Sequence, residues 1–334
     1  MNTRAPLVSV IVLNYNGLAY IRNCLDSVLN TKYPSLEVIL VDNNSNDGSF
    51  EICKSLYGNC GFVKLVRNDA NHGYALGNNI GATHCTGKYI VFLNSDTVVD
   101  EDWLGNAISV LEQRPRVGAA QCRIMSLTDR RVVQSAGNFL SCFGLSKIRG
   151  AGDLYTGQYP AVDAVFSAVG AAMIIRRSVA ETIGCFDPVF YLTAEDGDLC
   201  WRVWLYGWEV VHLRDSIVYH KGQGAFGTTG SDLYLKYYRR NNTIMMLKNM
   251  STKSLMKSLP VYLFLILLIG LVSKRKITYL KYMFRGYCWI LENVRYVIAK
   301  RHVVQHGRVV GDEQLMRLGV LRPPSLEILS GGWY

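Results

Sequence analysis

Three polar clusters in the first hundred residues share one setting, because each follows directly on a short apolar run. Asn14-Tyr15-Asn16-Gly17 follows Val8–Leu13, Asp42-Asn43-Asn44-Ser45 follows Glu37–Val41, and Asn94-Ser95-Asp96 follows Tyr89–Leu93. An aspartate at a strand end can accept hydrogen bonds from a nucleobase or ribose, and one on a tight turn can ligate a divalent metal carried by a diphosphate. One such aspartate alone is as readily read as a helix cap, which suits Asp47; three strand ends together are not. A fourth cluster, Glu195-Asp196-Gly197-Asp198, sets three carboxylates in four residues ahead of an apolar helix. Such carboxylates repel one another unless they cap the helix, meet cations or hold a proton at raised pKa. Asp198 is expected to cap the helix or pair with Arg202.

The elements that must position these residues alternate. Strands are expected at Val8–Leu13, Glu37–Val41, Val63–Arg67 and Tyr89–Leu93, with helices at Tyr20–Leu29, Gly48–Tyr57 and Gly73–Thr83. This spacing implies an α/β fold, a mostly parallel sheet covered on both faces. Ligands of such sheets bind beyond the carboxyl ends of the strands, so Asp42 and Asp96 should converge on one crevice. From about 115 to 230 the pattern loosens. Val162–Ile175 predicts a strand feeding a helix, Leu199–Tyr206 a short helix, and Val210–Leu213 and Ile217–Tyr219 two strands. After Ser231 the chain becomes helical, basic and aromatic. The expected division is therefore 1–230 as the catalytic α/β domain and 231–334 as a basic, apolar helical region.

With these motifs in this order the chain resembles the family-2 glycosyltransferases of the GT-A fold, and within them the rhamnosyltransferase-like branch of cell-surface polysaccharide enzymes. The resemblance covers roughly residues 7–250. It rests on Val8-Ser-Val-Ile-Val-Leu-Asn-Tyr-Asn-Gly17, Val41-Asp-Asn-Asn-Ser-Asn-Asp-Gly-Ser49, Asn71-His-Gly-Tyr-Ala-Leu-Gly-Asn-Asn-Ile-Gly81, Phe92-Leu-Asn-Ser-Asp-Thr97, Glu195-Asp-Gly-Asp-Leu-Cys-Trp-Arg202 and His220. It implies an enzyme that moves a sugar from a nucleotide-sugar donor to an acceptor with inversion, assisted by Mg²⁺ or Mn²⁺. It further implies donor contacts from Asn14, Asp42, Asn43, Asn71, Gly73, Asn78, Asn94 and Ser95, with Asp42 and Asn43 at the base. Asp96 would be the surviving acid of a metal-binding Asp-x-Asp motif, and His220 would complete the metal shell. Asn94 stands where many relatives carry the first Asp, so the site holds one charge less. Inversion needs a base for the acceptor hydroxyl; the resemblance assigns it to Asp196, with Glu195 orienting the acceptor. The alternative is a catalytically inactive sugar-nucleotide-binding scaffold, against which the intact Asp96, Asp196 and His220 argue.

Composition bears on location and partners. The net charge of +10 is unevenly placed: Lys236 to Arg308 holds 15 Lys and Arg against one acid, Glu292, while the remaining 21 basic and 25 acidic residues sum to −4. Such a block seeks phosphate. Within it, Ser258–Ser273 is a run of 16 uncharged residues, short of the roughly 20 that cross a bilayer. The expected partner is an anionic membrane surface, with this run lying in or dipping into the interface. Burial in the core or in a homo-oligomer is the other use for it. The resemblance adds a lipid-linked or glycan acceptor on the cytoplasmic face. Nine cysteines without a C-x-x-C pair do not make a disulfide framework or a zinc ribbon. The apolar stretch Leu7–Leu13 is too short for a signal-peptide core, so a cytoplasmic, peripherally membrane-associated location is expected. Gly222-Gln-Gly-Ala-Phe-Gly227 fits G-x-G-x-x-G, yet no acid follows about 20 residues on to hold a ribose. It reads as a mobile loop over the site. The basic runs at Lys274 and Lys300 carry no nucleic-acid-binding motif, and no nucleic-acid partner is expected.

Overall fold

A computed structural model of the protein describes residues 5–222 and 231–323. The glycine motif that starts at Gly222 lies outside the described residues from its second position onward. In chain order the first half runs β1 (Val8–Asn14), α1 (Ile21–Leu29), β2 (Leu36–Asp42), α2 (Ser49–Tyr57), β3 (Val63–Arg67), α3 (Gly73–Ala82), β4 (Tyr89–Asn94), β5 (Thr97–Val99), α4 (Trp103–Gln113), β6 (Val117–Ser126), β7 (Val133–Ser135), β8 (Asn138–Ser141), β9 (Ser146–Ile148) and β10 (Val162–Ala164). There follow β11 (Ala172–Arg176), α5 (Arg177–Ile183), α6 (Glu195–Leu205), β12 (Glu209–His220), α7 (Asp232–Asn249), α8 (Thr252–Val272), α9 (Lys276–Glu292), α10 (Val294–Gly307), α11 (Asp312–Arg317) and β13 (Leu321–Arg322).

The main sheet has the order β10-β12-β6-β11-β4-β1-β2-β3, with β5 on β12 and β7 on β6. The strands β1 to β4 are mutually parallel, and β6 and β12 run with them; β11 is inserted antiparallel between β4 and β6. Alternation sorts the side chains into two cores. On β1, Val8, Val10 and Val12 join the layer packed by α1 and α4, whereas Ile11 and Leu13 face the layer under α3, α5 and α6. Both faces are covered, so β1 is buried along its whole length and reads as a continuous apolar run. Helix α1 buries Ile21, Cys24, Leu25 and Val28, one stripe at helical spacing. A smaller sheet, β13-β8-β9, ties the C-terminal end of the chain to the middle.

Four sequence expectations change. Val162–Ile175 is not a strand feeding a helix: β10 and β11 are separated by a loop whose Gly170 reaches the site described below, and α5 begins only after β11, at Arg177. The two strands expected at 210–219 are one, β12, with an irregularity between Leu213 and Ile217 where the charged Arg214-Asp215 pair is accommodated. Helix α6 begins at Glu195, so its acids occupy the first helical turn. Helix α8 extends through Lys253 and Lys257 back to Thr252 and has 21 residues, about 31 Å at 1.5 Å per residue. Among the described residues it is the one helix long and apolar enough to cross a membrane. It buries a stripe at Ser258, Tyr262, Ile266 and Gly270 and leaves Leu263, Phe264, Leu267, Leu268, Leu271 and Val272 exposed.

Candidate active site

A pocket of about 260 Å³ opens at the carboxyl ends of β1 and β4. It is lined by Tyr15, Asn16, Gly17, Asn94, Ser95, Asp96, Gly170, Glu195, Asp196 and His220, among others. Gly17 has no room for a side chain, since a Cβ there would stand 2.2 Å from Asn14 Oδ1 and 3.2 Å from Ser95 Oγ. Thr97 Oγ1 donates to Asn94 O at 2.7 Å and so closes the turn that displays Asp96.

Register brings Asp96 and His220 together: β5 pairs antiparallel with the end of β12, and Thr97 lies opposite His220. His220 Nε2 stands 3.2 Å from Asp96 Oδ1. Gln134 fixes the imidazole. Its Nε2 donates to His220 O at 2.8 Å, and its Oε1 lies 2.9 Å from His220 Nδ1. With the amide oriented that way, Nδ1 carries the hydrogen and Nε2 presents a lone pair to a carboxylate oxygen. Two acceptors at that separation need a cation or a proton between them. Neighbouring ligands of a six-coordinate Mg²⁺ lie roughly 3.0 Å apart, so the pair fits two adjacent positions on a divalent metal. Among the described residues no group of three or more His, Cys, Asp or Glu is placed to hold a metal. The protein would supply two ligands and leave the others to phosphate oxygens and water.

The facing wall is the first turn of α6. The preceding turn is strained: Thr193 and Ala194 have φ of 70° and 65°, a conformation costly for a β-branched residue. Asn241 of α7, wholly buried, holds it by donating from Nδ2 to Leu192 O at 2.7 Å and Thr193 O at 2.9 Å. Asp196 accepts from the N–H of Gly170 at 3.1 Å and of Gly197 at 2.7 Å. Burial raises both acids of the pair above their ordinary values, and the Asp196 charge raises Glu195 further; the N–H bonds pull Asp196 back. Of the two, Glu195 holds its proton the more strongly and Asp196 releases its own first. Asp198 faces inward, with Arg202 Nε at 3.0 Å, Lys248 Nζ at 3.0 Å and Asn249 Nδ2 at 2.9 Å. This anchors α6 to α7.

Of the residues singled out in the sequence, Asn94, Ser95, Asp96, Glu195, Asp196 and His220 meet in this pocket. Asn14, Asp42, Asn43, Asn71, Gly73 and Asn78 do not line it. Asn14 Nδ2 donates to Asp42 Oδ2 at 2.9 Å and Ser49 Oγ at 2.8 Å, and Asp42 Oδ1 accepts from Ser45 N at 2.9 Å. Asn43 Nδ2 donates to Gly73 O at 3.0 Å and contacts Asn71 Oδ1 at 3.3 Å. Gly73 adopts φ of +72°, and a Cβ there would stand 2.4 Å from Tyr191 O. Asn78 Nδ2 donates within its own helix, to Tyr74 O at 3.0 Å. Gln134, Gly170 and Asn241 escaped sequence reasoning because their roles depend on pairings between distant segments.

The model of glycosyl transferase family 2 matches residues 9–184. The O-antigen biosynthesis protein RfbC of Myxococcus xanthus is 31% identical over 243 residues, 70% of this chain and 19% of that protein. Glycosyltransferase GlyG of Streptococcus pneumoniae serotype 4 is 31% identical over 110 residues, covering 33% of this chain and 36% of that protein. The matches to RfbC, to an uncharacterized Haemophilus influenzae glycosyltransferase and to the protein y4gI of Sinorhizobium fredii span 19%, 43% and 25% of those relatives' lengths. Among solved structures, TarS 1-349 of S. aureus in complex with UDP-GlcNAc superposes with a TM-score of 0.59 at 18% identity, covering 94% of this chain and 92% of that one. The mannosyltransferase PcManGT of Pyrobaculum calidifontis in complex with GDP-Man and Mn²⁺ gives 0.54 at 19% identity, over 91% and 86%. These likenesses show a shared GT-A fold. With more than half of its length matched by the family model, the chain belongs to glycosyl transferase family 2.

Proposed function

We propose that the protein transfers a sugar, with inversion, from a nucleotide-sugar donor to an acceptor hydroxyl, with Asp196 as the base. The observation that carries this reading is the placement of Asp196 across one pocket from the Asp96–His220 pair. Asp96 and His220 would hold a divalent metal, which when bound offsets the negative charge of the departing diphosphate. Asn94 and Ser95 line the donor side, and Asn14, Asp42, Asn43, Asn71, Gly73 and Asn78 serve donor binding, with Asp42 and Asn43 at the nucleobase. Asp196 takes the acceptor proton as that oxygen bonds the anomeric carbon. The bond from this carbon to the donor phosphate breaks, and its electron pair leaves on the nucleoside diphosphate. The protonated Glu195 donates a hydrogen bond that orients the acceptor. The rhamnosyltransferase-like placement rests on the order of the six motifs, of which Asn94-Ser95-Asp96 is part of one.

The acceptor in this reading belongs to cell-envelope glycan assembly, and the enzyme works on the cytoplasmic face of an anionic membrane. The apolar outer face of α8 inserts, while the surrounding lysines and arginines meet headgroups. The buried stripe of α8 packs on the protein, which keeps the helix beside the catalytic body.

The test is release of nucleoside diphosphate by the full chain from a panel of nucleotide sugars, with Mn²⁺, Mg²⁺ or excess chelator. Release that depends on metal and is lost in Asp96→Ala and His220→Ala supports the reading. Full activity in chelator contradicts the metal site, and no binding of any donor contradicts the function.

A further inference from the structure

A second cavity, of about 590 Å³, lies on the other side of the Glu195–Asp196 pair. The two cavities share Val169, Glu195 and Asp196, so Asp196 faces both. The wall supplied by α7 contains Arg239, which is only 5% exposed. No carboxylate among the described residues lies within ion-pair distance of it, and its Nε is buried without a hydrogen-bond acceptor. Arg202, by contrast, meets Asp198 and three backbone carbonyls. The surroundings of Arg239 are aromatic. Its guanidinium stands 4.8 Å from the Tyr238 ring centre and 5.4 Å from that of Tyr279, and Tyr234 stacks on Tyr238 at 4.7 Å.

Ring faces stabilise a cation only in part, and a buried charge without a counter-charge is costly. Three more buried atoms without partners belong to residues of the same cavity: Asn138 Oδ1, Thr193 Oγ1 and Glu195 Oε2. They suit the hydroxyl groups of a sugar. Glu195 is held well above the usual carboxylate range by burial and by Asp196, the other carboxylate of this cavity.

We propose that this cavity is the acceptor subsite and that the acceptor carries an anionic group, phosphate or carboxylate, which Arg239 binds while a neighbouring hydroxyl reaches Asp196. This rests on the transfer reading above and names the acceptor's chemistry. The guanidinium fork matches either anion with two parallel hydrogen bonds. The same contact orders the acceptor so that its reactive hydroxyl faces the base.

The test uses the full chain in excess chelator, so that no metal draws anions to Asp96 and His220. Inorganic phosphate, D-glucuronate and neutral glucose are titrated by calorimetry against the wild type, Arg239→Gln and Arg239→Lys. The expected result is saturable binding of an anion and none of glucose at the same concentrations. Affinity should fall on the order of tenfold or more in Arg239→Gln and several-fold in Arg239→Lys, whose ammonium cannot fork. Preference for phosphate marks a phosphate-bearing acceptor, and preference for glucuronate a uronic-acid-type acceptor. Binding of neither anion to the wild type overturns the proposal, as does equal affinity in the Gln variant. If Arg239→Gln does not fold, equal affinity in a folded Arg239→Lys does the same. Donor binding with Mn²⁺ is measured on the same protein. Donor binding without anion binding overturns this subsite alone, whereas anion binding at Arg239 without donor binding overturns the transfer reading.

Discussion

Asn241→Ala should slow turnover far more than it weakens donor binding, because Asn241 lines neither pocket and acts through the turn that presents Glu195 and Asp196. The substitution leaves the carbonyls of Leu192 and Thr193 without their donor. A buried polar group stripped of its partner costs about 1–3 kcal/mol, so two cost roughly 2–6 kcal/mol. Part returns if Thr193 and Ala194 leave the left-handed region, which stores about 1–3 kcal/mol per strained residue. The net loss is about 2–3 kcal/mol, or roughly 3–4 °C in Tm for a chain of this size. Relaxation of that turn shifts the first turn of α6, and a misplacement of about 1 Å can cost on the order of 10²-fold in rate. Urea unfolding gives the stability term, and nucleoside diphosphate release at saturating donor gives the turnover. The expected pattern is a 10-fold to 100-fold fall in kcat with donor Kd within about threefold. A variant that loses the stability but keeps kcat within twofold refutes the link between the clamp and Asp196.

Glu195→Gln tests the proton assigned to that acid. A carboxyl with a raised folded pKa keeps its proton where the unfolded chain has released it, so wild-type stability falls as pH rises from about 4.3 through the folded value. The variant lacks that loss and should have the higher Tm at pH 7, with the gap closing below about pH 4; equal Tm values at both contradict the assignment. Lys248→Met should destabilise by about 3–5 kcal/mol, because Lys248 Nζ, 2.6 Å from Asp187 Oδ2 and 3.0 Å from Asp198 Oδ1, is nearly inaccessible. A loss under about 1 kcal/mol in urea contradicts the network as an anchor of α6. The full chain should float with anionic vesicles at low salt and be released only in part by high salt, since apolar insertion is not screened. Failure to float removes the membrane role of α8.

The first four strands were legible to within a residue: β1, β2 and β4 are largely apolar and buried, and the partly exposed edge strand β3 still carries Val63, Leu65 and Val66 in a short run. Their polar ends were legible for the same reason: Asn94-Ser95-Asp96 breaks such a run abruptly. Strand β6 was not read, since Gly118, Ala119, Ala120, Gln121 and Arg123 dilute its apolar signal although all ten residues of the strand are buried. The insertion of β11 between β4 and β6 is a matter of long-range pairing that local periodicity does not encode. The start of α8 was hidden by Lys253 and Lys257, which the helix carries on an exposed side. In the site, residue types that do chemistry stood out, but those that aim them did not. Gln134 against His220, Gly170 against Asp196 and Asn241 behind Thr193 each join segments distant in the chain. Arg239 was counted only as one charge in a basic block, because nothing in the sequence shows that it lacks a counter-ion.

Asp196 as the base is tested most directly by Asp196→Asn, which keeps the size of the side chain and cannot take the acceptor proton. Donor affinity is measured by calorimetry with Mn²⁺, and turnover by release of nucleoside diphosphate from the same donor. Turnover should fall by about 10²–10⁴-fold while donor Kd stays close to that of the wild type. Retention of more than about a tenth of wild-type turnover, against that expected loss, would contradict the assignment of Asp196.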